Sequence, residues 1–547
     1  LIGVEKAAEV ILKGKLYSGQ EALKLGVVDG IAARGQIVDR AREKLRTGKR
    51  KVEGPVPTTP GSLELATPRQ TGNPAPECAY EIINKTLSIS PDESLRMELD
   101  EIVDLGKKES TQNLIRNFFL AEKYKKGTPS QTPTERVIHA AVIGAGVMGS
   151  GIAQWLSSRG VTVILRDIAR EQIDRGLANI EKTYADAVKR GLMTEEKAKQ
   201  GRARICGSTA PMELRDVRFV IEAASEKINI KKEVFRELTM EAGPKTIVAT
   251  NTSALPVSEL ADVMVSPEHV IGMHFFNPVS RMKLVEVVTA KQTSDETRER
   301  TLAFARQIGK LPVVVRDSPG FLVNRLLFPY LLDAAELFES GLEADKIDSA
   351  LVQWGMPMGP LRLIDEIGVD ITVDIGNTLE RAYGKRDHVS AVLLWLRDQQ
   401  MLGRKTGAGF YKYEGKTQKP NDSLMQWRVE AGGGDPGRDE ARTKSQPASP
   451  PPATADYLTS RLILLMVNEA ARCVEEKVVD SPEDADYGMI LGTGFAPFRG
   501  GPLRFAEDFG LKKVVDELER LTKTEEKFSP CEILKKHARD ETKFYEE

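Results

Sequence analysis

The sequence predicts a protein of the α/β class, in which a doubly wound α/β domain is followed by two copies of one all-helical domain. Three observations carry this reading. Apolar, strand-like runs alternate with helical stretches over residues 136–315. The segment Gly144-Ala-Gly146-Val-Met-Gly149 sits between the first such run and a helix. Beyond residue 316 a helical sequence pattern occurs twice.

Composition sets the outer bounds. The 547 residues correspond to roughly three to four domains at about 150 residues each. The chain has 78 Lys+Arg and 80 Asp+Glu, a formal net charge of −2. That balance argues against nucleic acid as the main partner, because phosphate binding needs a basic surplus on one face. Hydrophobic residues make up 41% and charged residues 29%, the profile of a soluble globular protein. Apolar runs such as residues 311–315 fall far short of a transmembrane segment. Cys78, Cys206, Cys473 and Cys531 have no metal or CxxC spacing, which fits a reducing compartment and no metal site. No leader of signal-peptide type opens the chain. It starts on Leu1 rather than Met, so a preceding segment is expected.

The elements follow in order. Residues 1–46 read as helix, turn and helix, because Ala and Leu recur at helical spacing over residues 5–12 and 21–25. Residues 48–80 are rich in Pro, Thr and Gly and read as linker. Helical patterns resume over residues 77–126, and the Pro-containing stretch 128–134 marks a boundary. Residues 137–144 form a buried-strand pattern, apolar almost throughout. Further strand-like runs are 161–165, 219–222, 246–250, 270–274, 284–289 and 312–316. From residue 318 the texture is helical. It is interrupted at 432–454 by a low-complexity stretch with Gly-Gly-Gly and Pro-Pro-Pro, a linker composition.

The repeat lies on either side of that stretch. "FLVNRLLFPYLLDAAEL … KIDSAL … GPLRLIDEIG" matches "YLTSRLILLMVNEAARC … DADYGM … GPLRFAEDFG". Arg325 aligns with Arg461, Asp348 with Asp486, and Gly359-Pro-Leu-Arg362 with Gly501-Pro-Leu-Arg504. Two copies of a helical unit in one chain imply a packed pseudo-twofold pair.

In the α/β region, the G-x-G-x-x-G motif follows a strand and opens a helix, and Asp167 stands 18 residues after Gly149 at the end of the second strand. The glycines suit a tight turn, backbone access to a pyrophosphate and close helix–strand packing. The helix N-terminus offers free N–H groups to phosphates. The Asp167 carboxylate would accept from ribose hydroxyls and repel a 2′-phosphate, so NAD is favoured over NADP; Arg166 beside it is a mild counter-signal.

Five histidines are present. His274 alone closes an apolar strand, at the end of the sheet where ligands bind in open α/β folds. Twelve residues on, Glu286 interrupts an apolar run, where a carboxylate is costly unless paired. Its partner is either the imidazole of His274 or, on the surface, Arg281 or Lys283. Ser253, in "ATNTSAL", follows a strand and fits either a turn or a substrate contact. Asn324 sits near the start of the first helical copy. The second copy has Ser460 there, so the amide is not demanded by the repeat fold.

Residues 136–415 resemble the L-3-hydroxyacyl-CoA dehydrogenases. The blocks that carry the resemblance are "VIGAGVMGSGIAQ", "VIEAASE", "NTSALPV", "GMHFFNPVSRMKLVEVV", "DSPGFLVNRLL", "GMPMGPLRLIDEIG" and "KTGAGFYKY". The resemblance implies a Rossmann-type domain with NAD, His274 as base with Glu286 as its partner, and Ser253 and Asn324 positioning the substrate oxygens. Gly144, Gly146, Gly149, Asp167 and Glu222 become cofactor-site positions. The substrate implied is a (3S)-3-hydroxyacyl-CoA thioester. More widely, the chain resembles the multifunctional α subunits of fatty-acid β-oxidation. Residues 1–46 are similar to the end of a crotonase-fold enoyl-CoA hydratase/isomerase, whose glutamate pair is not in this chain, so no hydratase activity is expected of it.

The organisation expected is thus a crotonase remnant at 1–50, linker and helices at 51–135, the NAD-binding domain at 136–315, helical copy 1 at 316–415, a linker at 416–453 and helical copy 2 at 454–547. A thiolase partner and a bacterial cytoplasmic location follow from the resemblance. Two rival readings are another NAD-linked two-domain oxidoreductase and a non-catalytic scaffold of a β-oxidation complex.

Overall fold

The computed structural model describes residues 2–14, 17–48, 72–86, 89–127, 135–210, 214–415, 417–424, 427 and 453–545. Most of the expected linker at 48–80, the boundary at 128–134 and nearly all of the low-complexity stretch at 432–454 lie outside the described residues. The chain divides into two compact units, Leu1–Gln112 and Asn113–Glu547.

The first unit is helical: α1 (Val4–Lys13), α2 (Gly19–Leu25), α3 (Ile37–Arg46), α4 (Pro74–Thr86) and α5 (Pro91–Gly106). Here α1 and α5 both pack on α4. Ser18 with Glu21 and Ser90 with Glu93 form reciprocal capping boxes that satisfy the first free amides of α2 and α5. Helix α6 (Glu109–Lys126) runs on into the second unit.

The second unit is built on an eight-stranded sheet. Its elements are β1 (His139–Ile143), α7 (Val147–Ser158), β2 (Thr162–Arg166), α8 (Arg170–Lys189), α9 (Glu195–Arg202), β3 (Ile205–Ser208), β4 (Phe219–Glu222), α10 (Ile228–Glu241), β5 (Ile247–Thr250), α11 (Val257–Ala261), β6 (Val270–Phe275), β7 (Leu284–Thr289), α12 (Asp295–Gln307) and β8 (Leu311–Arg316). The strand order is β3-β2-β1-β4-β5-β6-β7-β8. Every pairing is parallel except β6 with β7. No helix separates those two strands, so the connection is a hairpin, and its antiparallel register places His274 directly opposite Glu286. Strand β3 carries too few apolar residues to stand out in the sequence; it lies at the edge of the sheet.

Two helical copies follow. Copy 1 contains α13 (Val323–Glu339), α14 (Ala344–Trp354), α15 (Pro360–Ile367), α16 (Val369–Tyr383) and α17 (Ala391–Asp398), with a small hairpin of β9 (Tyr411–Glu414) and β10 (Thr417–Pro420) that the sequence pattern did not suggest. Copy 2 contains α18 (Ala455–Glu475), α19 (Pro482–Thr493), α20 (Pro502–Phe509), α21 (Leu511–Thr522) and α22 (Glu532–Asp540). Helices α13 and α18 are buried almost all round and pack on each other as the centre of the pair.

The pairing is reciprocal. Arg325 of α13 pairs with Glu469 of α18 (3.2 Å), and Arg461 of α18 pairs with Asp333 of α13 (2.7 Å). In each copy the carboxylate stands eight residues after the arginine, so one contact is the twofold image of the other. Lys527 also meets Asp333 (2.6 Å) and Glu525 (3.1 Å). Burial alone would raise the Asp333 carboxyl; Arg461 and Lys527 hold it down at about 2. Among the described residues, Asp333, Glu336 and Glu525 form a trio of metal-ligand type, and the Lys527 ammonium supplies its positive charge. No helix of the described residues is long and apolar enough to cross a membrane.

Candidate active site

The site residues cluster at the carboxyl ends of β5 and β6 and at the start of α13. The loop after β5 is fixed first: Asn251 Oδ1 accepts from the Phe275 amide of β6 (2.8 Å). Ser253 follows, its amide donating to Glu226 (2.7 Å) and its carbonyl accepting from Asn324 Nδ2 (2.9 Å). Two of the residues singled out in the sequence are therefore in direct contact across the domain junction.

His274 and Glu286 are both buried, and His274 Nδ1 lies 2.6 Å from Glu286 Oε2. Of the partners left open for Glu286, the imidazole is the one it meets. Glu286 Oε1 accepts from the backbone amides of Leu322 (3.0 Å) and Val323 (2.8 Å), which are otherwise orphan donors at the start of α13. One buried carboxylate thus meets two backbone amides and the imidazole, so its oxygens do not lack partners. In the tautomer whose Nδ1–H donates to the carboxylate, Nε2 carries the lone pair of the ring. The rings of Phe276 and Phe321 stand 4.5 Å and 5.8 Å from the imidazole.

The turn into α13 makes this possible. Gly320 and Phe321 both have positive φ, 76° and 52°. For Phe321 that conformation costs about 1 kcal/mol or more, and it persists where the surroundings over-determine it. It aims the next two amides at Glu286.

The dinucleotide-type loop joins β1 to α7. A Cβ on Gly144 would stand 2.5 Å from the Ala223 carbonyl, and one on Gly149 would stand 1.8 Å from the Gly144 carbonyl, so both positions need glycine. A Cβ on Gly146 meets nothing within 4 Å; it would project into the open cradle above the helix N-terminus. That cradle fits a pyrophosphate. Asp167 follows β2, and its two oxygens accept from the amides of Ala145 (2.7 Å) and Ile168 (2.8 Å), holding the loop. Arg166 is drawn away, paired with Glu241 and with Glu237 (3.2 Å). The counter-signal to NAD in the sequence is thus engaged elsewhere.

Glu222 closes β4 beside this loop, fully buried. Its carboxylate accepts from Lys231 Nζ (2.7 and 2.9 Å), the Ala224 amide (2.7 Å) and Thr250 Oγ1 (2.6 Å). Lys231 also reaches Glu226 (3.3 Å), which receives Thr252 Oγ1 (2.5 Å). Glu226 and Lys231 are site residues that the sequence reading missed. The usable signal was a lysine on the apolar stripe of α10, three residues after Ile228 and four before Phe235.

Comparison with known proteins points to one family. The family model for the 3-hydroxyacyl-CoA dehydrogenase NAD-binding domain matches residues 139–318. That for the 3-hydroxyacyl-CoA dehydrogenase C-terminal domain matches twice, at 320–413 and 457–543. The chain is 34% identical over 566 residues to the fatty acid oxidation complex subunit alpha of Shewanella loihica, covering all of this chain and 78% of that one. The protein of the same name from Vibrio vulnificus is 32% identical over 564 residues, with the same coverage. Among solved structures, 3-hydroxybutyryl-CoA dehydrogenase of Escherichia coli is similar at 29% identity and a TM-score of 0.63, over 74% of this chain and 99% of its own. The dehydrogenase part of multifunctional enzyme 1 from Caenorhabditis elegans is similar at 25% identity and a TM-score of 0.54, over 78% of this chain and 98% of its own.

Proposed function

The chain belongs to the 3-hydroxyacyl-CoA dehydrogenase family, and from that premise we propose how its residues divide the work. The enzyme is an NAD-dependent dehydrogenase that oxidises 3-hydroxyacyl-CoA thioesters in fatty-acid β-oxidation. NAD, when bound, supplies the hydride acceptor for C3 of the substrate. Gly144, Gly146, Gly149 and Asp167 hold it, and Glu222 organises the neighbouring loop. His274 takes the hydroxyl proton at Nε2, and Glu286 stabilises the imidazolium that forms. The Ser253 hydroxyl and the Asn324 amide orient the substrate oxygens. Burial of the dyad keeps water from competing for the base.

The observation that carries this reading is the 2.6 Å contact between His274 Nδ1 and Glu286. Its test is His274→Gln. Turnover of a 3-ketoacyl-CoA with NADH should fall at least about 1,000-fold, at the upper part of what loss of a general base removes, while NADH binding by fluorescence is retained. A variant that keeps full activity would show that the base is another residue. Measurable wild-type NADH oxidation also excludes the scaffold reading.

A second part of the proposal concerns assembly. The product, a 3-ketoacyl-CoA, is the substrate of thiolytic cleavage, and the α-subunit relatives are named as parts of a complex. A thiolase is the partner we propose, in a bacterial cytoplasm. Copies 1 and 2 bury their matched faces on each other within one chain, which supports a chain that needs no self-association through copy 1. Light scattering should give a monomer in the absence of the partner. An obligate dimer held through residues 316–415 would contradict this.

A further inference from the structure

Lys310 is fully buried at the start of β8, and among the described residues it has no carboxylate within ion-pair distance. Its Nζ donates to the carbonyls of Val279 and of Met282 (2.6 Å) and stands 4.3 Å from the centroid of the Trp155 ring. Burial, with Arg159 nearby, pushes its amine down to about 7. A group this costly to bury calls for an explanation other than packing.

The explanation lies in what it clamps. Val279 and Met282 belong to the β6–β7 hairpin loop, residues 276–283, which joins the strand of His274 to the strand of Glu286. At its near end the loop carries Phe276, whose ring lies tilted against the His274 imidazole, 4.5 Å between centroids. In its middle the Val279 side chain presses on the dinucleotide-type helix, so closely that a Cβ on Gly151 of α7 would stand 3.2 Å from it. At its far end it is held by Lys310. Trp155, which faces the ammonium, is itself on α7 and donates to the Ile308 carbonyl (3.0 Å). Protonated or neutral, the amine keeps at least two N–H donors, so both carbonyls remain satisfied across the working pH range.

We propose that Lys310 is a positioning residue for hydride transfer: by clamping the 276–283 loop between α7 and β8, it keeps the His274 imidazole in register with the helix that receives the dinucleotide. It touches neither substrate nor cofactor and acts through the loop. The proposal rests on His274 as the base. The two readings fail separately, because an active His274→Gln variant overturns the base, whereas an unimpaired Lys310 variant overturns only the clamp.

The experiment is Lys310→Met, which keeps the length of the side chain and removes the donors. The reaction is NADH oxidation with a short 3-ketoacyl-CoA, and rates are expressed per NADH-binding site, counted by fluorescence titration. The expected result has three parts: kcat falls by about ten- to a hundredfold, the NADH dissociation constant stays within about twofold, and the isotope effect with NADH deuterated at the transferred hydrogen rises, because hydride transfer has become the slow step. A second variant, one glycine inserted between Ser280 and Arg281, frees the carbonyls while leaving Lys310 in place and should give the same pattern. An unchanged kcat overturns the proposal. So does a loss of rate matched by an equal loss of NADH affinity with an unchanged isotope effect, which is the signature of general destabilisation.

Discussion

In copy 1, Asp365 accepts from the amides of Phe410 and Tyr411, and Asp348 accepts from the amides of Leu361 and Arg362 and from the Tyr411 hydroxyl. In copy 2, Glu507 accepts from the amides of Phe544 and Tyr545, and Asp486 from the amides of Leu503 and Arg504 and from the Tyr545 hydroxyl. The two copies are built on one hydrogen-bond plan and differ in what they face. Copy 1 turns the first amides of α13 to Glu286 and Asn324 to Ser253. Copy 2 receives α6, through Asn113 on Asp508 (3.0 Å), Asn117 on the Pro497 carbonyl (2.7 Å) and the stacked rings of Tyr124 and Tyr487. A duplicated fold can thus keep its internal scaffold while one copy supplies the contacts to Glu286 and Ser253 and the other packs on a helix.

The twofold relation itself is the place to break first. Glu469 is shared by Arg325, Arg386 and Arg472, and among the described residues only the half-exposed Glu476 otherwise pairs with this group, at Arg325. The cations around Asp333 have further partners, since Arg461 also meets Glu525 and Lys527 meets Glu336 and Glu525. Glu469→Gln therefore strands more buried charge. It should lower unfolding stability by about 3–5 kcal/mol, and Asp333→Asn by roughly 1–2 kcal/mol less, read from urea melts. Equal losses would mean that the pair is symmetric in energy as well as in geometry.

Asn324→Ala should lower kcat/KM for a 3-ketoacyl-CoA by about 100-fold, the scale for removing one donor that orients a reacting oxygen. Ser460→Ala, at the matched position of copy 2, should leave it within about twofold. A comparable loss from Ser460→Ala would show that copy 2 takes part in the chemistry.

Sequence legibility follows the same division. The repeat was readable because its anchors are chemically unusual: an arginine in an apolar helix, and a Gly-Pro-Leu-Arg block at matched places. The strands were readable within a residue or so where β-branched residues run on, as at 219–222 and 284–289. Strand β3 and the β9–β10 hairpin were not, because edge pairing is decided by neighbours rather than by local composition. His274 and Glu286 could be nominated from a polar group on an apolar strand, but their opposition depends on the antiparallel turn of β6–β7, a tertiary fact. Lys231 left only a faint signal on the stripe of α10, and Lys310 and Glu226 left none, since lysine and glutamate are ordinary surface residues; burial marks out the two lysines and the contacts with Lys231, Thr252 and Ser253 mark out Glu226.

The two copies also differ in their response to pH. Burial raises the Asp348 carboxyl to about 6 and the Asp486 carboxyl to about 7, despite the donors each receives. In each case the folded state holds a proton that the unfolded chain releases from about pH 4 upward, so these groups lower stability as pH rises through that window. The tyrosine hydroxyl favours the ionised carboxylate. Removing it raises the folded carboxyl further, so the penalty must grow as the wild-type carboxylate ionises and fade below its folded value. Tyr411→Phe and Tyr545→Phe should each cost about 1–2 kcal/mol at pH 8. On acidification the Tyr411→Phe deficit should fade below about pH 6, and the Tyr545→Phe deficit about one unit earlier, near pH 7. Melts of both variants and wild type between pH 5 and 8 would show two curves of one shape displaced along the pH axis. Superimposed curves would mean that the deeper burial of Asp486 does not set the copies apart electrostatically.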